Sequence, residues 1–265
     1  MITDHFLVTD RVAIVTGAGR GIGRATALTL AEAGADVVVS ARTATDLDDV
    51  AAEIRALGRR AVVVAADLSD LDTLPGLVDA ALSELGRLDI VVNNVGGSFP
   101  KPLLETSAAS FEKAFHFNVT TALELSKAAI PPMLAGPGQG GSIVNISSLI
   151  GRITDRGFAA YGTAKAALTH LTRLMAADCA PRIRVNGIAV GSTATSALEM
   201  VLTDEGLRTQ MIDATPLRRL GTPLDMALGV LYLCSPAGSF ITGKILEIDG
   251  GLESPNLRLG LPDLA

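Results

Sequence analysis

Apolar positions fall into short continuous runs that alternate with longer segments of mixed polarity, and the alternation continues along the whole chain. Arg11–Thr16 is a β-branched run whose successive residues are apolar, so both faces of the strand it predicts would be buried. Glycines close it, and Ile22–Ala33 then carries a helical spacing that stops at Gly34. Asp36–Ser40, Ala61–Ala66, Leu88–Asn93, Ser142–Ile146, Ile183–Ile188 and Lys244–Ile248 have the same strand character. Between them, 47–57, 71–85, 108–133, 159–179 and 223–234 read as helices, and 191–216 as a less regular stretch with one or two short helices. Doubly buried strands separated by helices predict an α/β architecture: a doubly wound, seven-stranded parallel sheet flanked by helices on both faces. No linker or internal repeat breaks the pattern, so residues 1–265 are expected to form a single domain.

Composition narrows the function. With 265 residues, 48% of them hydrophobic and 19% charged, the chain has material for one large core and is not disordered. A net charge of −6 gives no basic footprint, and 3% aromatic residues without Trp leave little for base stacking, so no nucleic-acid partner is expected. The apolar stretch 226–243 is interrupted by Ser235, Pro236, Gly238 and Ser239, which argues against a membrane span. Residues 1–11 lack the apolar core of a signal peptide. Cys179 and Cys234 make no disulfide framework and read as reduced, buried thiols, so a cytoplasmic protein is expected. None of His5, His116 and His170 has a second His or Cys at ligand spacing, so no metal site is expected.

The segment Thr16-Gly-Ala-Gly-Arg-Gly-Ile-Gly23 lies between the first strand and the first helix. Glycine suits a tight turn there, and the helix N-terminus beginning at Ile22 offers free N–H groups to the pyrophosphate of a dinucleotide. The spacing of Gly17, Gly21 and Gly23 differs from Gly-x-Gly-x-x-Gly. No Gly-Lys-Ser/Thr follows, which disfavours a triphosphate loop. At the end of the second strand stand Ser40, Ala41, Arg42 and Thr43, with no acid before Asp46. Arg42, joined by Arg20 from the glycine loop, suits a 2′-phosphate, so NADP(H) is favoured over NAD(H). After the third strand, Asp67-Leu68 meets adenine or Asp67 caps the following helix, with Asp70 the better placed cap. Asn94-Val95-Gly96, after the fourth strand, is expected to set backbone against the adenine-side ribose.

Ser148 follows the fifth strand, and Tyr161 and Lys165 stand at i and i+4 on the next helix, one turn apart on one face. A phenol is a poor base at neutral pH, and a neighbouring ammonium would favour the phenolate. With Ser148 holding a substrate oxygen, Tyr161 could pass a proton while a nicotinamide passes hydride.

These residues resemble the short-chain dehydrogenase/reductase family in its classical form, over about Arg11 to Gly251. The glycine motif is Thr16–Gly23, Asn93-Asn94-Val95-Gly96 stands for the family's Asn-Asn-Ala-Gly, and Ser148, Tyr161 and Lys165 match at the expected spacing. The resemblance implies a Rossmann-type fold, an NAD(P)-dependent oxidoreductase acting on a secondary alcohol or ketone, and a role for Asn118 in linking the active-site lysine to a proton relay. It implies nicotinamide-side contacts from Val190, Gly191 and Thr193, with Thr195 nearby, and cofactor contacts from Tyr161 and Lys165. Val190 stands where relatives carry proline, which leaves that turn more mobile or redirects it. Asp249-Gly250-Gly251 fits the family's C-terminal region, and pairing of the helices near 108–133 and 159–179 across a two-fold axis implies a homodimer or homotetramer.

Val39–Arg42, 96–102 and 216–221 are similar to bacterial 3-oxoacyl-carrier-protein reductases and 7α-hydroxysteroid dehydrogenases. Phe99, Leu149, Ile153, Phe158, Leu198, Met200 and Leu202 are candidate pocket walls, suiting an apolar steroid-like, alicyclic or 3-oxoacyl substrate. Arg152 and Arg156 would meet a carboxylate or phosphopantetheine, or stay solvated. A non-catalytic dinucleotide-binding regulator or scaffold on the same fold would have no use for Tyr161 and Lys165.

Overall fold

In the computed structural model, which describes residues 1–97, 99–257, 260, 261 and 263 and gives the backbone alone at 197, 200 and 201, the alternating runs become strands β1 (Val12–Thr16), β2 (Asp36–Ala41), β3 (Ala61–Ala65), β4 (Ile90–Asn93), β5 (Gly141–Ser148), β6 (Ile183–Val190) and β7 (Ile245–Ile248). All pairings are parallel, in the order β3-β2-β1-β4-β5-β6-β7. The order reverses between β1 and β4, and a crevice opens there at the carboxyl ends of the strands. This is the Rossmann-type arrangement in one domain.

Period two along the strands sorts residues between two cores. Ala13, Val15, Val37, Val39 and Val92 face one layer with Leu30 of α1 (Gly21–Glu32), Leu47 and Ile54 of α2 (Ala44–Ala56), and Val230. Val12, Ile14, Val38 and Val91 face the other, with Leu77 of α3 (Leu74–Ala80), Leu125, and Met175. Strands apolar on both sides therefore report two helical layers, as the sequence pattern requires.

The helices differ from their expected form in instructive ways. The stretch 108–133 is α4 (Ala108–Phe115) and α5 (Thr121–Ala135) joined by a π-helical turn at His116–Thr120, which holds Asn118. The stretch 71–85 begins as a 3₁₀ turn at Leu71–Thr73 and ends as a π-helical turn at Ala81–Leu85. The long α6 (Ala159–Cys179) matches its predicted bounds. Between β6 and α9 (Pro223–Cys234), the irregular stretch holds a 3₁₀ turn at Ser196–Leu198, then α7 (Glu199–Thr203) and α8 (Glu205–Ala214). Strands β5 and β6 run two residues past their expected ends, pairing Ser147 with Ala189 and Ser148 with Val190. In β5 the two added residues are serines, which pair because a ladder needs backbone rather than apolar side chains; in β6 they are the apolar Ala189 and Val190. Ser148 is therefore the last residue of β5, not a residue beyond it. No helix among the described residues is long and apolar enough to cross a membrane. Cys179 and Cys234 are both free, with Cys234 buried and Cys179 only partly so.

Candidate active site

The glycine loop turns tightly because Gly17, Gly21 and Gly23 carry no side chain. Gly17 and Gly21 adopt φ of +63° and +55°. A Cβ on Gly23 would lie 2.1 Å from the Gly17 carbonyl oxygen and 2.6 Å from Asn94 Nδ2, so only glycine lets α1 begin against the loop. Arg20 occupies the N-cap position of α1 without a capping side-chain bond. The first-turn N–H groups thus lack a capping oxygen at the switch point, and this loop fits an anionic dinucleotide.

Asn94 does more for the loop than expected. Its Nδ2 donates to the Thr16 and Gly17 carbonyls at 2.9 and 3.3 Å, while the Asn94 and Val95 N–H groups donate to Thr16 Oγ1 at 2.8 and 3.1 Å. Thr16 and Asn94 together staple the end of β1 to the end of β4. The Asn94 side chain is accordingly turned to the loop rather than to a ribose.

At the other end of the crevice, Arg20, Arg42 and Thr43 are exposed, and neither arginine forms a salt bridge among the described residues. Arg42 lies close enough to Asp67 to help hold its carboxyl below the usual range, after the larger effect of the Ser69 N–H and hydroxyl that donate to it at 3.0 and 2.8 Å. Asp70 caps the 3₁₀ turn through the Asp72 N–H. Leu68, expected at the nucleotide, is 3% exposed and packs in the core, so its side chain is not part of the crevice wall. Ile22 is half-buried against the opposite core.

The third group converges where β4, α6 and the π turn meet. A Cβ on Gly96 would stand 2.6 Å from Asn118 Oδ1 and 2.8 Å from Lys165 Nζ, so this glycine permits the approach of all three. Asn118 is fully buried and clasps Gly97, accepting from its N–H at 2.9 Å and donating to its carbonyl at 3.0 Å; it also donates to Ala114 at 2.8 Å. Lys165 donates to the Ile146 carbonyl at 2.8 Å, and its Nζ lies 5.7 Å from the centre of the Tyr161 ring. The Ser148 side chain lies close enough to Tyr161 to act on its phenol, and its Oγ accepts from the Ile150 N–H at 3.3 Å.

Burial dominates the titration of this pair. It raises the Tyr161 phenol above its ordinary value, against the lowering effect of the nearby Ser148 side chain, and pushes Lys165 down to about 7. The expected depression of the phenol by the ammonium is therefore not what the protein alone shows. Desolvation outweighs it: Lys165 is 3% exposed and Tyr161 half-buried, and burial favours the neutral form of each.

On the nicotinamide side, Val190 stays within the ladder, pairing with Ser148 and Ile248, and the Gly191 N–H donates to the Ile248 carbonyl at 3.0 Å. The valine in place of proline thus continues the strand. A Cβ on Gly191 would lie 2.4 Å from Asp249 Cα, which fixes the turn against the end of β7. Thr193 is buried with its hydroxyl on the Gly191 carbonyl at 3.1 Å, whereas Thr195 reaches across to Gly21, 3.5 Å from where a Cβ there would sit. Of the two threonines, Thr195 faces the glycine loop.

Several proposed pocket walls fall elsewhere. Phe99 is 89% exposed and Leu149 is buried in the protein, while Ile153, Phe158, Leu198 and Leu202 are half-buried; Met200 lies outside the described side chains. Arg152 is exposed, as the solvated alternative has it, and its guanidinium is already engaged by carboxylates. It meets Glu253 at 2.7 Å, Glu247 at 3.2 Å and Asp249 at 3.7 Å, and donates to the Leu252 carbonyl. Arg156 pairs with Asp263 at 3.0 Å. Sequence reasoning missed the buried polar chain beneath the site, in which Asn93 donates to Asn145 and Ser126, and Asn145 donates to Thr172. Asparagines inside apolar strands were its one visible signal. No cluster of metal-ligating side chains occurs among the described residues.

A doubly wound sheet with a glycine loop at its switch point, and Ser148, Tyr161 and Lys165 together beside the cleft, is the arrangement of a single-domain, nicotinamide-dependent oxidoreductase. Residues 17–253 match the family model described as enoyl-(acyl carrier protein) reductase, and the chain belongs to the short-chain dehydrogenase/reductase family. An uncharacterised oxidoreductase of Mycobacterium tuberculosis is 58% identical over 264 residues, covering 100% of both chains. The 7α-hydroxysteroid dehydrogenase of Escherichia coli is 42% identical over 94% of this chain and 96% of its own. A 7α-hydroxysteroid dehydrogenase solved with NADH and 7-oxo glycochenodeoxycholic acid is 41% identical, with a TM-score of 0.90 over 94% of this chain and 96% of that one.

Proposed function

We propose that the chain interconverts an alicyclic or steroid-like secondary alcohol and its ketone, preferring NADP(H), with Ser148, Tyr161 and Lys165 as catalytic residues and Asn118 as their support. The observation that carries this reading is the convergence of Ser148, at the end of β5, with Tyr161 and Lys165 one helical turn apart on α6, the Lys165 Nζ lying 5.7 Å from the Tyr161 ring centre. When bound, the nicotinamide supplies or accepts hydride. Ser148 donates to the carbonyl oxygen and holds it beside Tyr161, which delivers its proton to that oxygen; in the opposite direction Tyr161 takes the hydroxyl proton. A phenol whose pKa is raised by burial stays protonated near neutral pH, the form that carbonyl reduction uses.

Gly17, Arg20, Gly21, Ile22 and Gly23 would hold the pyrophosphate. Arg42, Thr43, Asp67 and the Leu68 backbone would hold the adenosine end, with Val95 and Gly96 at the middle of the cleft. Val190, Gly191 and Thr193 would line the nicotinamide side. Two exposed arginines at the adenosine end, neither paired with a carboxylate at salt-bridge distance among the described residues, support a 2′-phosphate. The half-buried apolar residues Ile153, Phe158, Leu198 and Leu202 support an apolar ring substrate, as does the 7-oxo steroid carried by the similar dehydrogenase. Engagement of Arg152 by three carboxylates disfavours a phosphopantetheine anchor there. Exposed Phe111 and Phe115 on α4 and Leu174 on α6 support a homodimer or homotetramer, and the two free thiols support a cytoplasmic setting.

Turnover of 7-oxo glycochenodeoxycholic acid and cyclohexanone with NADPH and with NADH tests the reading. Tyr161→Phe should cost about 10²–10⁴-fold in turnover while NADPH still binds, as seen by its fluorescence. A Tyr161→Phe enzyme that turns over normally would overturn it.

A further inference from the structure

The insertion between β6 and α9 is closed at its neck by backbone alone. Ala194 donates to the Gly221 carbonyl at 2.8 Å, and Gly221 donates to that of Ser192 at 2.9 Å, with Thr193 bridged to Gly221. From this neck the chain runs out through α7 and returns along α8, ending at Thr215. What fastens α8 back to the neck is a side chain from beyond β7. Asn256 is 6% exposed and has three partners. Its Oδ1 accepts from the Ser192 hydroxyl at 2.8 Å, and its Nδ2 donates to Thr215 Oγ1 at 3.0 Å and to the Met211 carbonyl at 3.4 Å. Thr215 in turn donates to the Met211 carbonyl at 2.7 Å. One amide thus joins both ends of the insertion, and all of its polar atoms are engaged where water is excluded.

The neck leads directly into the reaction cleft, since Ser192 lies between Gly191, packed on Asp249, and Thr195, facing Gly21. We propose that Asn256 is a positioning residue that pins α8 to the β6 turn and thereby sets the wall against which the substrate docks. The proposal rests on the substrate-side reading given above. Without the pin, α8 keeps the backbone bond from Leu217 to Gly250 and its buried Met211 but loses its direct tie to the neck at Ser192, whereas Ser148, Tyr161 and Lys165 stand on β5 and α6 and keep their places. The consequence falls on substrate affinity rather than on the chemical step.

Asn256→Ala and the milder Ser192→Ala test this, the second removing one of the three bonds and leaving the core intact. For Asn256→Ala the KM for 7-oxo glycochenodeoxycholic acid should rise about fivefold or more, with kcat and the NADPH dissociation constant within about twofold. The rise should be smaller for cyclohexanone, and Ser192→Ala should move in the same direction. Amide hydrogen exchange over 205–215 should quicken in the cofactor-free Asn256→Ala protein. A general loss of folded protein would instead lower apparent kcat and leave KM unchanged; that result, or unaltered exchange over 205–215, overturns the pin. If the parent protein reduces neither ketone, the activity reading fails, and exchange over 205–215 still decides the pin.

Discussion

Lys165 is a buried amine held at about 7, far below the ordinary lysine value of 10.5, and this has a thermodynamic consequence. Between pH 7 and 10.5 the unfolded chain keeps a proton that the folded one has released, so unfolding becomes harder as pH rises through that window. Below pH 7 both states are protonated and the fold carries the full cost of a buried ammonium. Lys165→Met removes the titration and also the bond to Ile146, but the latter loss does not vary with pH. Its stability relative to the parent should therefore fall as pH climbs from about 7 to about 10, by at most about 1.4 kcal/mol per unit. Urea unfolding of cofactor-free protein at both ends of the window measures this; a constant difference would contradict it. Spacing on a helix made Ser148, Tyr161 and Lys165 legible as a group, whereas the direction of their titration was not. That direction depends on what surrounds each atom in three dimensions, here the Ile146 carbonyl and the walls that exclude water.

At the scale of elements, the glycine loop and α1 form a single anion-receiving unit, and Gly23 is its tightest point. Gly23→Ala would drive a methyl group into the Gly17 carbonyl, and the loop would have to open. A destabilisation of about 1–3 kcal/mol is expected, with NADPH affinity falling about tenfold or more. Gly58→Ala is the matched control, because its φ is +78° but a Cβ there meets nothing within 4 Å. It should cost about 1–2 kcal/mol through backbone strain alone and leave nucleotide affinity intact. Equal losses of affinity in the two variants, by fluorescence titration, would refute the steric account. Strands and long helices were readable because burial imposes periods of two and 3.6. The π turn around Asn118 was not, since the one-residue shift of phase it makes falls inside a long stretch with small apolar residues on more than one face. The end of β5 at Ser148 escaped because a ladder pairs backbone groups whatever the side chain.

Across the whole molecule, the crevice draws residues from the first strand, the fourth, the fifth, the sixth and the insertion, so a bound cofactor should brace the entire sheet. NADPH at about 100 times its dissociation constant should stabilise the protein by about 2.7 kcal/mol, and melting temperature should rise with the logarithm of its concentration. With Arg20 and Arg42 at the adenosine end, NADPH should raise it more than NADH at equal concentration; thermal melts with both cofactors decide this, and an equal or larger rise with NADH would reverse the cofactor preference.

The amino-acid order alone determined the doubly wound sheet, the glycine turn before α1 and the serine, tyrosine and lysine that share one end of it. Each is a local pattern, fixed by residues near one another in the chain. Folding decided the partners that come from far away. Arg152 is engaged by carboxylates on and after β7, Asn94 is turned back to the glycine loop, Thr195 rather than Thr193 faces Gly21, and Asn256 fastens the insertion. Those contacts depend on strand register and on how separate segments pack, and neither quantity is encoded within a short window of sequence.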